Sequence, residues 1–434
     1  MTVHGPPFRL VTLAPGHFHA ALVQKFMHPD ISPVVHVYAP DGPELEDYLR
    51  RVESFNRRAD DPTCWDLRVY SGPDFLERML ADRAGDIVVI SGNNARKTEY
   101  IVRSIEGGFN VLADKPMART PEDLPRLEDA FRMAKANGVL LYDIMTERHE
   151  ITTILQRELS RRADLFGRLE PGTPDEPSIT KESVHCFSKT VAGAPLVRPQ
   201  WFFDVEQQGE GIVDVTTHLV DLIQWALFPG ERLDPADAKV LSARRWTTPV
   251  TREQFTRVTG AATFPDYLHR GVQDGVLNVY ANGAFTYLLR HVHARVSVAW
   301  DYEAPPGGGD THFSTMRGTR AHLVIRQGRE QQFKPVLYVE RATSVSPTEH
   351  EGALEAAVTS LQDRYPGVAA RREGRHTALS VPGHYAIGHE AQFAAVTADY
   401  LRYFRDGALP DWEVPGMLIR YATIMQAFER SHLP

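Results

Sequence analysis

Short apolar runs alternate with longer helical patterns through residues 1–145. Runs rich in Val, Ile, Leu and Tyr predict strands at 8–14, 34–38, 67–70, 86–91, 110–113 and 139–143. The stretches between them predict helices at 18–27, 43–58, 73–82, 95–106 and 121–136. Strands separated by crossover helices of this size indicate a parallel sheet covered on both faces. We therefore predict a Rossmann-like, doubly wound α/β domain over residues 1–145.

The pattern changes after this first domain. Most of residues 240–340 alternate polar and apolar positions, as antiparallel strands with one solvated face do. Amphipathic or apolar stretches predict helices at 146–163, 211–227 and 391–430. Helices beside a run of antiparallel strands are typical of an α+β domain. We predict such a domain over residues 146–434, built on a large, mostly antiparallel open sheet.

The helix predicted at 211–227 is apolar enough to be buried, yet it carries a row of polar residues. Asp214, His218 and Asp221 stand at spacings of four and three, so they share one helix face. Because buried charges without partners are strongly disfavoured, this row is either a structural network or a working site. Taken singly, Asp214 also fits a helix N-cap and His218 a core histidine.

Length, charge and cysteine content exclude several classes of protein. The 434 residues are about twice the size at which one core usually stops growing, in line with two domains. The net charge of −8 argues against a nucleic-acid or anionic-membrane surface as the main partner. Cys64 and Cys186 show no metal-binding or disulfide spacing, and no apolar run reaches membrane-spanning length. With no signal-peptide pattern at residue 1, we expect a soluble, cytoplasmic protein.

The loop after the first strand is where phosphate contacts are expected in such a sheet. It reads TLAPGHFHAALV, with Ala14, Gly16 and His19 at the three glycine positions of the G-x-G-x-x-G fingerprint. The middle glycine lets the backbone approach a pyrophosphate, and the following helix offers its N-terminal N–H groups. We predict that Gly16, His17 and Phe18 contact a dinucleotide. A tight turn with incidental histidines is the alternative.

A carboxylate after the second strand is the other half of the fingerprint, because it accepts hydrogen bonds from the adenosine ribose. Asp41 or Glu44 fits this position in VYAPDGPE. No Arg directly follows the strand to meet a 2′-phosphate, so we predict NAD rather than NADP and assign Asp41 to the cofactor. Pro40, Asp41 and Gly42 also fit an ordinary exposed turn.

Residues 90–118, ISGNNARKTEYIVRSIEGGFNVLADKPMA, contain a strand, a turn, a helix and a second strand that ends in D-K-P. The segment resembles the Gfo/Idh/MocA oxidoreductases, in which a T-P-N-like turn precedes a helix, a strand and an E-K-P motif. Ser91, Asn93 and Asn94 stand in the turn, and residues 114–116 stand for E-K-P. The fold that the resemblance implies agrees with the predicted parallel sheet.

Two later segments extend the resemblance into the second half of the chain. RPQWFF at 198–203 and GEGIVDVTTHLVDLIQW at 209–225 are similar to the family's R-x-x-W and G-G-x-x-x-D-x-x-x-H-x-x-D motifs. The chain departs from the family where its phosphate loop lacks two glycines and where Asp114 replaces glutamate. Its longer C-terminal half resembles the branch that has its own oxidoreductase C-terminal domain.

The resemblance implies an NAD-dependent reaction on a sugar or cyclitol, with hydride passing between a carbinol carbon and the nicotinamide. His218 then takes the hydroxyl proton, because a base with a pKa near neutrality suits that step. Lys115 hydrogen-bonds the same oxygen and stabilises developing alkoxide charge, unless it is a strand-end lysine that points to solvent. Asp214 holds the histidine or a second substrate hydroxyl, whereas Asp221 supports the row or pairs with a helix neighbour.

Further cofactor and substrate contacts are predicted from residue type and position in the chain. Cofactor contacts are predicted for Ser91, Asn93, Asn94, Asp114, Lys115 and Trp201. Trp201 has an equally good alternative as a core residue. Substrate contacts are predicted for Arg148, His185, Arg198, Asp214 and His218, with Lys181 and Lys189 close in sequence to His185. The cations among them suit an acidic sugar substituent such as a carboxylate or sulfonate, and surface charge is the alternative.

Two pairs of histidines raise the question of a metal site. Neither His17/His19 nor His291/His293 has an obvious acidic or Cys partner in the sequence. We therefore predict no metal.

Three functions follow from these residues. The first is a sugar dehydrogenase or reductase with net turnover of NAD. The second is a redox-neutral glycosidase that oxidises a pyranoside transiently at C3, with sulfoquinovosides among the candidate substrates. Both need Lys115 and His218, so the sequence does not separate them. The third is a non-catalytic, nicotinamide-binding regulatory or scaffold protein. We expect a homo-oligomer, a dimer or a tetramer, with no nucleic-acid or membrane partner.

Overall fold

The computed structural model describes residues 8–191, 194–373 and 376–433. Contacts divide the chain into two compact units that are not consecutive in sequence. The first unit contains the residues up to Thr146 together with Pro199–Gly209 and Gly388–Leu418. The second unit contains the remaining segments, Glu147–Arg198, Glu210–Ile387 and the residues from Ile419 onward.

The sequence prediction placed two segments of the first unit, 199–209 and 388–418, in the second domain. Specific polar contacts explain why they belong to the first. The Asn94 side chain donates to the carbonyl of Gln208 at 2.7 Å. Arg405 forms an ion pair with Asp30 at 2.8 Å. Periodicity cannot reveal such contacts, because the partners lie far apart in the chain.

A six-stranded sheet forms the centre of the first unit. Its strands are β1 Leu10–Leu13, β2 Val34–Ala39, β3 Asp66–Ser71, β4 Ile87–Ile90, β5 Asn110–Asp114 and β6 Leu141–Ile144. Its helices are α1 His19–Leu22, α2 Pro43–Arg57, α3 Phe75–Asp82, α4 Lys97–Glu106 and α5 Asp123–Asn137. All strand pairs are parallel, in the order β3-β2-β1-β4-β5-β6. This order confirms the predicted doubly wound sheet.

The helix behind the first loop is much shorter than the predicted 18–27. After α1, the N–H groups of Gln24 and Lys25 bond to carbonyls three residues back, at 2.9 and 3.2 Å. The carbonyl of Gln24 accepts from the indole N–H of Trp65 at 2.6 Å. A single helical turn therefore follows the loop.

A ten-stranded sheet forms the second unit. Its strands are β7 Ile179–Ser188, β10 Ala238–Thr251, β11 Val272–Gln273, β12 Val276–Leu289, β13 Val292–Glu303, β14 Thr311–Arg317, β15 Ala321–Arg326, β16 Val336–Arg341, β17 Ala369–Glu373 and β18 His376–Ser380. A separate small ribbon pairs β8 Thr190–Val191 with β9 Ala194–Pro195. Only β13 and β7 pair in parallel among the described strands of the large sheet. The predicted large, mostly antiparallel sheet is therefore confirmed.

The remaining helices include two that the sequence pattern did not predict. They are α6 Ile151–Ser160, α7 Gly211–Asp214, α8 Thr216–Leu227, α9 Arg252–Thr259, α10 Pro347–Leu361, α11 His389–Asp406 and α12 Glu413–Ser431. The unpredicted α9 and α10 begin at local signals, a Thr251/Gln254 capping box and an N-cap at Ser346. No helix in the described part of the chain is both long and apolar enough to cross a membrane.

Candidate active site

The loop between β1 and α1 has the backbone shape that a glycine usually provides. Ala14, at the first fingerprint position, has φ +47°, in the left-handed region. The carbonyl of Ala14 lies close to Gly92: a Cβ added to Gly92 would be 2.3 Å from the carbonyl oxygen of Ala14. At Gly16 a Cβ would lie 3.4 Å from the N atom of Asn93. The glycine predicted to approach a pyrophosphate therefore also brings the loop close to the turn after β4.

Hydrogen bonds of the Asn93 side chain and of the Ser91 carbonyl fix the turn after β4. Asn93 accepts from the N–H of Ala95 at 2.9 Å and donates to Gln207 Oε1 at 2.8 Å. The Ser91 carbonyl accepts from the N–H groups of Gly16 and His17, at 3.2 and 3.4 Å. Asn93 and Asn94 thus hold the 199–209 segment, and their contacts to a cofactor stay predictions.

Asp114 is buried at the end of β5 and gathers the polar side chains around it. Its Oδ2 lies 2.9 Å from His19 Nδ1, 2.9 Å from Ser91 Oγ and 3.8 Å from His17 Nδ1. Burial alone would raise the pKa of Asp114, but the charge and hydrogen bond of His19, with the charges of Lys97 and His17, hold it well below its usual value. The acidic partner that the sequence did not reveal for His17 and His19 is therefore Asp114.

Lys97, which the sequence reasoning missed, supports the strand end that carries Lys115. Its buried ammonium donates to the main-chain carbonyls of Asp114 and Lys115, at 2.9 and 3.3 Å. A lysine on the predicted helix 95–106 was the only signal, and a surface position would have explained it equally well. Lys115 itself is half-buried directly after β5.

The two residues expected near the ribose and the nicotinamide differ in burial. Trp201 is buried, and its indole N–H donates to Glu44 Oε1 at 3.1 Å. Asp41 is exposed beyond the end of β2. Glu44, the other candidate carboxylate, thus accepts from Trp201, and the contact of Asp41 with a ribose stays a prediction.

The first unit offers a place that fits a dinucleotide. The strand order reverses between β1 and β4, and ligands bind outside the carboxyl ends of the strands at such a switch point. The loop that contains Gly16, His17 and Phe18 lies on one side of this point, and the turn at 91–94 lies on the other. The exposed Asp41 follows the next strand along the sheet. These residues fit NAD.

In the second unit, the segment predicted as one helix over 211–227 is two helices that meet at Val215. Close packing on β12 places the first helix: a Cβ on Gly211 would lie 1.7 Å from the Ala281 carbonyl oxygen. Reciprocally, a Cβ on Gly283 would lie 2.4 Å from Ile212 Cβ. These two glycines let α7 rest on the strand backbone, and Asp214 is buried at the junction with α8.

Asp221 forms a buried ion-pair cluster further along α8. Arg148 donates to both of its carboxylate oxygens, at 2.8 and 2.7 Å, and the fully buried Arg420 donates to Oδ1. Burial would raise the pKa of Asp221, but the charges and hydrogen bonds of the two arginines lower it below its usual value. Arg148, predicted to contact substrate, therefore holds a carboxylate of its own unit.

Arg198, also predicted to contact substrate, is a buried structural cation. Its guanidinium donates to the carbonyls of Phe187 and Cys186, both at 2.8 Å, and lies over the Trp300 ring at 5.1 Å. Burial lowers the pKa of Arg198 to about 10, although the carboxylates of Asp310 and Asp214 act in the opposite direction.

His185 is held between two polar partners. Its Nδ1 lies 2.9 Å from Asp310 Oδ2, and its Nε2 lies 2.8 Å from Ser183 Oγ. Lys189 also pairs with Asp310. Burial would raise the pKa of Asp310, but His185 and Lys189 hold it well below its usual value. The sequence reasoning missed Asp310 because it follows a Pro/Gly-rich stretch, EAPPGGGD, that indicates only a loop.

Chemically, the first unit presents a half-buried lysine at a strand end and a switch point between β1 and β4. The second unit presents a carboxylate and an imidazole one turn apart, Asp214 and His218. Groups of these types serve proton transfer and the stabilisation of an alkoxide.

Comparisons with known proteins match two families to successive parts of the chain. Residues 14–142 match the oxidoreductase family with an NAD-binding Rossmann fold, Gfo/Idh/MocA. Residues 155–432 match the family described as "Putative oxidoreductase C terminal domain". Together the two matches cover both halves of the chain.

Individual relatives span a wide range of similarity. The crystal structure of a putative oxidoreductase from Parabacteroides merdae ATCC 43184 is 49% identical, covers 98% of both chains and has a TM-score of 0.96. Levoglucosan dehydrogenase in complex with NADH and levoglucosan shares the fold at 15% identity, with a TM-score of 0.59 over 98% of this chain and 97% of that chain.

A curated relative matches over a shorter stretch. The 1,5-anhydro-D-fructose reductase of Ensifer adhaerens is 29% identical over 169 residues, which are 38% of this chain. The match spans 44% of that reductase, less than half of its length. With both family models matched in order, the chain belongs to the Gfo/Idh/MocA oxidoreductases, with an NAD-binding Rossmann domain and the oxidoreductase C-terminal domain.

Proposed function

We propose that this protein is an NAD-dependent enzyme that oxidises a secondary alcohol of a sugar or glycoside, at C3 of a pyranoside, or reduces the corresponding ketone. The observation that carries the proposal is the placement of Asp214 and His218 one turn apart on a buried segment that glycine packing fixes against β12. The names of two relatives, an anhydrofructose reductase and levoglucosan dehydrogenase, support a sugar as the substrate.

Each residue has a defined part in this proposal. Bound NAD supplies the carbon that exchanges hydride with the substrate. The imidazole of His218 takes the proton of the substrate hydroxyl, and Asp214 orients the imidazole or binds a neighbouring hydroxyl. The Lys115 ammonium donates a hydrogen bond to the oxygen on which negative charge develops. Lys97 holds the backbone on either side of Lys115, so that this donor keeps its position.

A redox-neutral glycosidase is the second candidate, and one observation favours it. After oxidation at C3, the C2 proton becomes acidic, and elimination of the aglycone needs another base. His185, oriented by Asp310 and Ser183, is a second held imidazole in the same unit as His218. Water then adds at C1, and the ketone is reduced again, so that NAD returns to its starting state.

An acidic substituent on the sugar receives little support from the geometry. Arg148 is bonded to Asp221, Lys189 to Asp310 and Arg198 to two carbonyls. Because these cations already have partners within the protein, neutral glycosides are as good candidates as sulfoquinovosides.

One experiment separates the candidates. Purified protein is incubated in deuterated water with catalytic NAD and a panel of neutral and sulfonated aryl glycosides, and with free sugars and stoichiometric NAD. Net NADH with an intact aglycone identifies a dehydrogenase; aglycone release with deuterium at C2 and no net NADH identifies a glycosidase. Calorimetric NAD binding with neither product in the whole panel would overturn the proposal and favour a nicotinamide-binding regulatory protein.

A further inference from the structure

The cluster around Asp114 has the composition and dimensions of a metal-binding site. The donor atoms of His17, His19 and Asp114 all lie within 4.8 Å of one another. Two of the separations are 2.9 and 3.8 Å, from Asp114 Oδ2 to the Nδ1 atoms of His19 and His17. Donors around a tetrahedral Zn²⁺ with bonds of 2.0–2.1 Å are about 3.3 Å apart. The observed separations lie on either side of that value, so small side-chain rotations would complete the site.

Neighbouring side chains orient the ligands. The Nε2 atom of His19 lies 3.2 Å from Nε2 of His389, and Ser91 Oγ donates to Asp114. When Nδ1 of His19 binds a metal, its Nε2 carries the proton and donates to His389. Hydrogen bonds of this kind to the outer nitrogen of a ligating histidine are usual in metal sites.

We propose that His17 Nδ1, His19 Nδ1 and Asp114 Oδ2 bind one divalent cation of the zinc class. Two imidazoles and one carboxylate favour Zn²⁺, Co²⁺ or Ni²⁺ over Mg²⁺ and Ca²⁺, which prefer oxygen ligands. Three protein ligands leave a fourth position for water or another oxygen. The ion would join the loop after β1 to the end of β5, in a loop that lacks two of the three fingerprint glycines.

Two features of the cluster limit the affinity. The positive charge of Lys97 acts on His17 and Asp114, and that of Lys115 acts on His17. In addition, His19 and Ser91 satisfy Asp114 through hydrogen bonds when no ion is bound. The cation therefore has to compete with an existing hydrogen-bond network.

The test uses tag-free, full-length protein that has been treated with EDTA and dialysed. Zn²⁺ is titrated by calorimetry and Co²⁺ by its visible absorption, without NAD or sugar, so the result is independent of the proposed function. We expect one ion per chain. His17→Ala, His19→Ala and Asp114→Asn should abolish binding, and His389→Ala should weaken it roughly 10- to 100-fold. His384→Ala, which removes an exposed histidine outside the cluster, should bind as the wild type does.

Circular dichroism identifies the variants that retain the fold, and His17, which is only half-buried, is the substitution with the smallest effect on packing. The proposal is wrong if wild-type protein binds no Zn²⁺. It is also wrong if folded His17→Ala and His19→Ala bind the ion as tightly as the wild type, because the ion would then lie elsewhere.

Discussion

The segment 211–225 contains two aspartates, Asp214 and Asp221, that stand among mostly apolar residues in the sequence. Their contacts in the folded chain differ. At the C-terminal end of the segment, Asp221 accepts hydrogen bonds from Arg148 and Arg420, and all three side chains are buried or nearly so. At its N-terminal end, Asp214 is also buried, but at a helix junction fixed by Gly211, and His218 follows one turn later. The residues next to both carboxylates in the sequence are mostly apolar.

The two aspartates differ in the groups that they contact. A carboxylate with two guanidinium partners is a closed unit, because its charge is neutralised within the unit and its oxygens are occupied. The charge of Asp214 acts to raise the pKa of Arg198, whose N–H groups donate to the carbonyls of Phe187 and Cys186. The contacts of Asp221 indicate a role in stability, whereas the proposed function gives Asp214 and His218 a role in proton transfer. The following measurements test this difference.

The largest effect is expected on catalysis at the N-terminal region. His218→Ala should lower kcat/KM by about 10²- to 10⁴-fold, because a positioned base contributes that much to proton transfer. Asp214→Asn should lower it in the same direction. Urea unfolding of both variants should show a smaller loss of stability than Asp221→Asn. An unchanged kcat/KM in His218→Ala would remove this histidine from the mechanism.

At the C-terminal region the expected effect is on stability. Asp221→Asn leaves two buried guanidiniums without their counter-charge, and we expect a loss of about 3–5 kcal/mol in the free energy of unfolding. Since the pKa of Asp221 is lowered in the fold, its contribution is present above about pH 4 and is lost as the pH falls below that value. Arg257→Ala, which removes an exposed ion pair with Glu303, is the control and should change stability little. Equal losses in the two variants would contradict the assignment.

A smaller effect is expected at Lys181, which shows what burial costs when the partners are neutral. Its ammonium is fully buried and donates to Gln156 Oε1 and Ser314 Oγ, at 3.3 and 3.0 Å. Burial lowers the pKa of Lys181 to about 7, so the fold disfavours the charged form. The free-energy cost of burying the charged ammonium is complete below pH 7. It falls as the pH rises toward the pKa of Lys181 in the unfolded chain.

Relative to Lys181→Met, the wild type should therefore gain roughly 2 kcal/mol of stability between pH 7 and pH 9. Denaturant unfolding at several pH values measures this gain. Parallel stability curves for the two proteins would mean that Lys181 does not titrate in this range.

Much of the fold could be predicted from the sequence because the signals are local. Apolar runs such as 86–91 and 110–113 predict strands regardless of where those strands lie in the fold. The observed strands Ile87–Ile90 and Asn110–Asp114 agree closely with them. The prediction failed where tertiary contacts overrode the pattern. Trp65 donates to the Gln24 carbonyl just beyond α1, and Gly211 lets α7 pack against the backbone of β12 ahead of the junction at Val215.

By itself, the sequence determined the two kinds of sheet and named Lys115, Asp214 and His218 as residues for chemistry, because periodicity and motif order are carried along the chain. Only the tertiary structure decided the partners of the other polar residues. Arg420 stands 199 residues from Asp221, and His19 stands 95 residues from Asp114. Such pairs leave no local pattern, since each forms only when folding brings distant segments together. The same contacts assign Arg148 to an ion pair and reveal an acidic partner for His17 and His19.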